Sequence, residues 1–430
     1  MNSVGERLRQ ARLARGLTQE QLARGLATKG FISQVERDHA KPSLPKLRLL
    51  AERLGLPLAQ LTGDQSPLEL TYLRKSAELA VKAKEAERAL SLIAEAEALT
   101  TTANERAEVQ RIKGTALDEL GRLSEALLVH QQAAAMAPPD DPELNAAIYA
   151  ELATVLNQQE RFNHAVEAGL RSLEWLERAK HADPALRARV LTNLGRSYWG
   201  IGQLEESHRF HVSALDAATD AESLLRIANA HMSLGVTARA TGKLEAAIDH
   251  CNRALEILGR LKHERTANRV LNNIGDVYYA MGRKTEARQV QQQCLQRARE
   301  LKDDFEIGVA GGELARYLVE SGDPRLALDL ARDSQAASAR SGDHLHQAYA
   351  AAVEARAAEQ LGQRSLADRK FKAALSMLLE RNAGAKLAEI CAMYAEVLHA
   401  RGRHDRAFAL LRVAAEREYN KLPALIKATR

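Results

Sequence analysis

Apolar residues in the first 63 positions recur at the three-and-four spacing of helices, broken at short intervals by turn residues. Val4–Arg15 sets Leu8 and Ala11 on one face with Arg12 beside them, and Gly16 stops the run. Thr18 with Gln21 three residues on forms a capping box, and the helix it opens turns Leu22, Ala23 and Leu26 inward. A third helix follows Ala27–Thr28, runs to about Arg37 and buries Ile32 and Val35. Ser43 caps a fourth, Leu44–Leu54, which ends at Gly55; a short fifth starts near Pro57 and stops before Gly63.

Beyond this head the pattern changes from short helices to a long internal repeat. Leu194, Leu234 and Ile274 each begin a similar stretch, so the period is 40 residues. Each is followed by a glycine (Gly195, Gly235, Gly275) and, seven residues later, by another (Gly202, Gly242, Gly282). The second glycine continues as Gly322, Gly362 and Gly402, while Ala315, Ala355 and Ala395 replace the first. A small residue, from Ser207 and Ala247 to Ala407, follows each turn glycine by five positions. Gly114, Gly121, Ala126 and Ala133 fit an earlier copy. A degenerate one surrounds Ala153 and Ala165, with Glu160 where the turn glycine belongs, and the weakest covers residues 70–100. The small residues let two antiparallel helices cross closely, and the turn glycine reverses the chain.

Composition agrees. Hydrophobic residues make up 46% of the 430, yet only 4% are aromatic and only 10 are proline, so helices are rarely broken. The fold class is therefore all-α. Charge is unevenly placed: residues 1–64 hold 11 Lys/Arg against 6 Asp/Glu, and the other 366 residues hold 50 of each. The whole excess of +5 thus lies in the head, the footprint of a small polyanion-binding module on a neutral scaffold. Cys251, Cys294 and Cys391 are odd in number and widely spaced, which fits buried thiols in a reducing compartment rather than disulfides or a zinc site. With no signal-like start and no apolar run of membrane-spanning length, the expected location is cytoplasmic.

The stretch LTQEQLARGLATKGFISQVE (Leu17–Glu36), with the tail that follows, resembles the Cro/C1-type (Xre-like) helix-turn-helix over nearly all of residues 4–63. The connection between its second and third helices is one residue shorter than the commonest pattern, as in peptide-pheromone-responsive regulators of the PlcR, NprR and Rgg group. With Ile32 and Val35 inward, Lys29, Gly30, Ser33, Gln34 and Arg37 face out, where a recognition helix meets the major groove. Gln34 suits bidentate bonding to adenine, and Ser33 serves either base type. Arg37, Lys41 and Lys46 are candidates for phosphate, positioning the module without reading sequence. The resemblance implies a phosphate contact for Gln19 and an ion pair between Arg12 and Glu36.

The 40-residue unit resembles the tetratricopeptide repeat, lengthened by about six residues over the usual ~34. Eight or nine copies are expected over residues 73–417 as a right-handed α-solenoid, with residues 1–64 as the head, 65–72 as linker and 418–430 as a capping tail. Counting from the Leu-Gly pair puts Arg189, Asn193, Arg196, Trp199, Asn229, Arg239, Arg269, Asn272, Asn273, Asp276, Tyr279, Arg316 and Arg356 on the inner wall. Asn carboxamides bond both N–H and C=O of an extended peptide and Arg holds a carboxylate, so this wall suits a short peptide or a partner protein, with Arg189, Asn193 and Asn273 as its expected centre.

No GxxxxGK[ST], GxSxG, HExxH or GxGxxG stretch occurs, and neither His208/His211 nor the Asp343–His346 run has a third ligand at fixed spacing. The expectation is a non-enzyme without cofactor or metal: a transcription regulator that reads an inverted repeat in double-stranded DNA as a homodimer, away from membranes. An interaction scaffold with a vestigial head and a small-metabolite sensor are the alternatives.

Overall fold

The structure, a computed structural model, describes residues 3–62, 67–180, 183–379 and 384–427. The chain divides into two compact units, Met1–Val155 and Leu156–Arg430. Among the described residues every regular element is a helix.

The first unit opens with α1 (Val4–Ala14), α2 (Gln19–Ala23), α3 (Lys29–Glu36), α4 (Leu44–Leu54) and α5 (Leu58–Thr62) around one core of Leu8, Leu22, Ile32, Val35, Leu50, Leu54 and Leu61. The Thr18–Gln21 capping box is present in both directions, and Gly55 ends α4 in the left-handed conformation at φ 62°. Ser43 occupies the N-cap of α4 but makes no side-chain cap bond. Pro45 follows at the second helical position and has no N–H to donate, which removes one of the hydroxyl's two usual partners.

Residues 67–72, expected as linker, instead begin α6 (Pro67–Lys82). Proline is well tolerated in a first turn, and Leu70, Leu73 and Ala77 give the segment a buried stripe. The expected domain boundary itself falls at residues 63–66, outside the described residues. α6 packs on α7 (Ala86–Glu97), followed by α8 (Ala103–Glu119) and α9 (Leu123–Met136); α10 (Pro142–Gln158) runs across the division between the units.

The second unit continues with α11 (Phe162–Arg178), then the pairs α12 (Pro184–Gly200) with α13 (Leu204–Asp220) and α14 (Leu224–Ala240) with α15 (Leu244–Arg260). Next come α16 (Glu264–Ala280) with α17 (Lys284–Glu300) and α18 (Asp304–Glu320) with α19 (Pro324–Ser341). The last pairs are α20 (His344–Gln360) with α21 (Arg364–Leu379) and α22 (Gly384–Ala400) with α23 (His404–Glu416). Each helix packs on the next, and alternate helices α12, α14, α16, α18, α20 and α22 also touch, which makes the unit an α-solenoid. The tail folds back as a 3₁₀ turn (Tyr419–Lys421) and α24 (Leu422–Lys427), burying Leu422 against α23.

Period and geometry agree in detail: from α12 to α18 each helix is 17 residues long and each turn three, so one pair with its turns spans the 40-residue repeat. The middle residue of every such turn is left-handed. After first helices it is glycine, as at Gly202 (φ 82°), whose N–H bonds Trp199 O while Gln203 N–H bonds Tyr198 O, a Schellman closure. After second helices the same closure is made by Glu222, Lys262 and Lys302 at φ 49–53°, which have side chains and so escape a search for turn glycines. Glu160, read as standing in for a turn glycine, is left-handed at φ 56°.

The first glycine of each repeat faces the residue 16 positions on. A Cβ on Gly195 would lie 2.4 Å from atoms of the His211 ring, and one on Gly235 would lie 2.8 Å from the Cys251 sulfur. Gly114 and His130, and Gly275 and Gln291, repeat this contact. Gly235→Ala is therefore expected to destabilise the second unit by about 1–3 kcal/mol through overpacking, although Ala is worth ~1 kcal/mol more than Gly in a helix interior. Adding Cys251→Ala should recover most of the loss in urea unfolding; no rescue would show that the sulfur is not what the methyl meets.

Candidate functional site

The candidate reading face is built on α3. Thr28 caps it by accepting from Phe31 N at 3.2 Å, Ile32 and Val35 are buried beneath, and Lys29, Gly30, Gln34 and Arg37 are exposed with Ser33 half-buried. α3 is tied to α1 by a buried fork: Arg12 Nε donates to Glu36 Oε1 at 2.5 Å and Nη2 to Oε2 at 3.0 Å, while Nη1 reaches Leu17 O at 2.8 Å. Burial disfavours the charge on Glu36, but the bonds from Arg12 and Gln19 outweigh it and hold the carboxyl below its ordinary value.

Gln19, expected on a phosphate, has its amide N–H on Glu36 Oε2 at 2.7 Å. The carboxylate has lone pairs beyond those the Arg12 fork uses, and the start of α2 lies within reach of them. Other charges of the head are likewise spent inside it: Arg7 Nε donates to Leu61 O at 2.8 Å and Arg53 Nη1 to Leu22 O at 3.1 Å. Lys29, Arg37, Lys41 and Lys46 remain exposed around α3, with the Lys46 ammonium 4.7 Å above the Phe31 ring.

The sequence-selected inner-wall residues all lie on first helices: Arg189, Asn193, Arg196 and Trp199 on α12, Asn229 and Arg239 on α14, and Arg269 through Tyr279 on α16. Arg316 follows on α18 and Arg356 on α20. Eight of them fall into two groups. Arg239, Asp276, Tyr279, Arg316 and Arg356 belong to a polar ladder that joins successive repeats. Arg239 approaches Asp276 at 3.8 Å, Tyr317 donates to Asp276 at 3.4 Å, and Arg316 binds Glu313 at 2.8 Å while stacking on Tyr279 and Tyr317. The Tyr279 and Tyr317 rings lie parallel at 4.8 Å, the Tyr279 hydroxyl donates to Glu320, and Arg356 is 4.0 Å from Glu320. Burial, and then the charge of Glu313, push the Asp276 carboxyl up to about 6 against the pull of Arg239 and Arg316.

Arg269, Asn272 and Asn273 instead line a cavity of about 330 Å³ with Met232, Phe305, Glu306, Val309 and His346. Arg269 Nε donates to Glu306 at 3.0 Å, and the Asn272 Oδ1 atom is buried with no hydrogen-bond partner. Arg189 and Asn193 are not in this cavity, so the expected grouping of both with Asn273 is not formed. They sit two repeats away, where the Asn193 carbonyl accepts from Asn157 Nδ2 at 3.1 Å and Ser197 Oγ at 2.8 Å. Sequence reasoning missed Phe305 and His346, in the first turns of α18 and α20, because counting started from the Leu-Gly pair deeper in each helix.

Residues 8–61 match the helix-turn-helix family, and residues 226–300 and 265–340 match the tetratricopeptide-repeat family. An immunity repressor protein of Bacillus phage phi105 is 34% identical over 65 residues, which are 15% of this chain and 45% of the repressor, so the chain spans less than half of that relative. Among solved structures, a Rap protein complexed with competence and sporulation factor is similar at TM-score 0.63 and 17% identity, covering 84% of this chain and 99% of that one. The apo quorum sensor NprR from B. thuringiensis is similar at 0.56 and 13%, covering 81% and 97%. The Rap conjugation gene regulator of plasmid pLS20 in complex with the Phr* peptide gives 0.55 and 14%, covering 84% and 98%. At these identities the likeness to solved structures is one of fold.

Glu36→Ala should cost roughly 3–5 kcal/mol, because it strands a buried guanidinium and the Gln19 amide. Replacing both partners, as Arg12→Met with Glu36→Leu, should cost much less. Deuterium uptake across α1–α3 reads the difference, and equal protection in Glu36→Ala and the parent would remove the fork from any stabilising role.

Proposed function

We propose that this protein is a homodimeric, sequence-specific DNA-binding transcription regulator whose repeat domain binds a short regulatory peptide. The observation that carries the reading is the exposed polar face of α3, held to α1 by the Arg12–Glu36–Gln19 fork in the segment that holds the chain's whole excess of positive charge. In the major groove Gln34 bonds an adenine edge and Ser33 a neighbouring base, with Lys29 and Gly30 at the entering end of the helix. Arg37, Lys41 and Lys46 take phosphates and set the register. Gln19 acts in this reading by fixing the helix that carries the base contacts rather than on phosphate. One such helix covers a half-site, which favours a dimer on an inverted repeat. The phage immunity repressor's likeness over the head supports the DNA-binding part.

For the repeats, the Arg269–Asn272–Asn273 cavity supplies what a peptide backbone needs: amides that donate and accept, one of them with an unused acceptor, beside the Phe305 ring and Met232. Solved relatives of this fold in complex with a factor or a peptide support the same choice. A peptide that binds one arrangement of the repeats better than another would shift the population competent for DNA. No helix among the described residues is long and apolar enough to cross a membrane, in keeping with a cytoplasmic site of action.

Selection of host-genome fragments by the purified protein, at two salt concentrations, tests the DNA claim. An inverted repeat should be enriched. Gln34→Ala should relax one base position in each half-site at a cost of about 1–3 kcal/mol, and Lys41→Ala should weaken all sequences alike and reduce the salt slope by about one unit. Equal binding of specific and random DNA by the parent would sink the proposal. Asn273→Ala should leave DNA binding by the unliganded protein intact and blunt its response to peptide.

A further inference from the structure

We propose that a second cleft, between the helix-turn-helix bundle and α6, binds a small amphiphilic carboxylate, an organic acid with an apolar body. The cleft has a volume of about 630 Å³, inside the roughly 300–1,000 Å³ usual for small-molecule sites. Its floor is apolar: Val35 from the back of α3 and Leu47 from α4, both buried. Val4, Pro42 and Tyr72 form walls, and Leu68 stands at the mouth 69% exposed, an apolar side chain that a guest would cover.

The rim sets the charge of the guest. Asp38 is the acid there, and its carboxylate is turned onto the start of α1, accepting from Gly5 N at 3.2 Å and from the Ser3 hydroxyl. Lys75 bonds Glu78 at 3.2 Å in an exposed pair that holds it weakly. Lys41 is exposed with no carboxylate within bonding distance among the described residues. An apolar trough with two ammonium groups at its edge suits an anion with a hydrophobic tail and repels a cationic amphiphile. A second copy of this face would bring the same positive rim and meet like charge. The site itself does not depend on the reading above; its consequence does. Because Val35 is the inner side of the helix whose outer side carries Gln34, and Lys41 is assigned to phosphate, a bound acid would draw Lys41 away from DNA.

Isothermal titration of the full chain, without DNA, with sodium decanoate below its micelle concentration tests the site; 1-decanol and decyltrimethylammonium are the comparators. Decanoate should saturate one site per chain, decanol should bind about ten-fold more weakly for want of the ion pair, and the cation should give no saturation. Thr71→Trp, filling the mouth from the exposed face of α6, and Leu68→Glu, placing a like charge beside the carboxylate, should each abolish decanoate binding with helical content unchanged. The proposal is overturned if decanoate shows no saturable heat at millimolar concentration, if both folded variants bind it as the parent does, or if only phosphatidylglycerol vesicles give a response. Decanoate titration reads the site even in a chain that fails to retain DNA, so the two proposals fail separately.

Discussion

The repeats depend on how close two antiparallel helices can come. Where a first helix lacks a side chain, at Gly114, Gly195, Gly235 and Gly275, the residue 16 positions on fills the space against bare backbone. That contact fixes the crossing point of the pair, and the three-residue left-handed turns fix the reversal on either side of it. Once both are set, every later position in a first helix has a determined side. The ladder of Arg239, Asp276, Arg316 and Arg356 and the cavity at Asn272 are consequences of this register, since residues 36 to 41 apart in sequence become neighbours on adjacent first helices.

What fills the space varies far more than the space does. His130, His211, Cys251 and Gln291 occupy the same register position and share only a compact size. Burial pushes the His211 ring down to about 4 and the Cys251 thiol up to about 11, so near neutrality both are uncharged. They act as shapes, and the close approach tolerates any neutral group that fits.

This explains which features were legible. Positions governed by local rules could be read directly: the capping box at Thr18, the stop at Gly55, the turn glycines and the 40-residue period. The Arg12–Glu36 pair was legible only through resemblance, since nothing local links residues 24 apart. Other features were decided by partners that local pattern does not specify. Lys262 and Lys302 are left-handed because both flanking helices are fixed by packing, which overrides the steric preference for glycine. Gln19 turns inward because Glu36 arrives from another helix with acceptor capacity to spare. The acids that engage Arg239 and Arg316 escaped the count for the same reason: Asp276 lies on the next first helix and Glu313 one turn away, and a one-sided count of inner-wall residues does not pair them.

Charge finally separates the two candidate surfaces. The 366 residues after the head carry equal numbers of acids and bases, and three inner-wall arginines are matched locally: Arg269 by Glu306, Arg239 by Asp276, Arg316 by Glu313 and Glu320. Breaking such a partly buried pair to bind a charged ligand would leave its partner stranded, which costs more than the new contact returns. Neutral hydrogen-bonding groups carry no such penalty, and the Asn272 acceptor is already desolvated and unused. On the proposed reading, recognition in the cavity rests on amide geometry and on the shape set by Phe305 and Met232. The head has the opposite design: its structural arginines are consumed on carbonyls and on Glu36, while the lysines and Arg37 left around α3 stay in water, where long-range attraction to a polyanion is available at little desolvation cost.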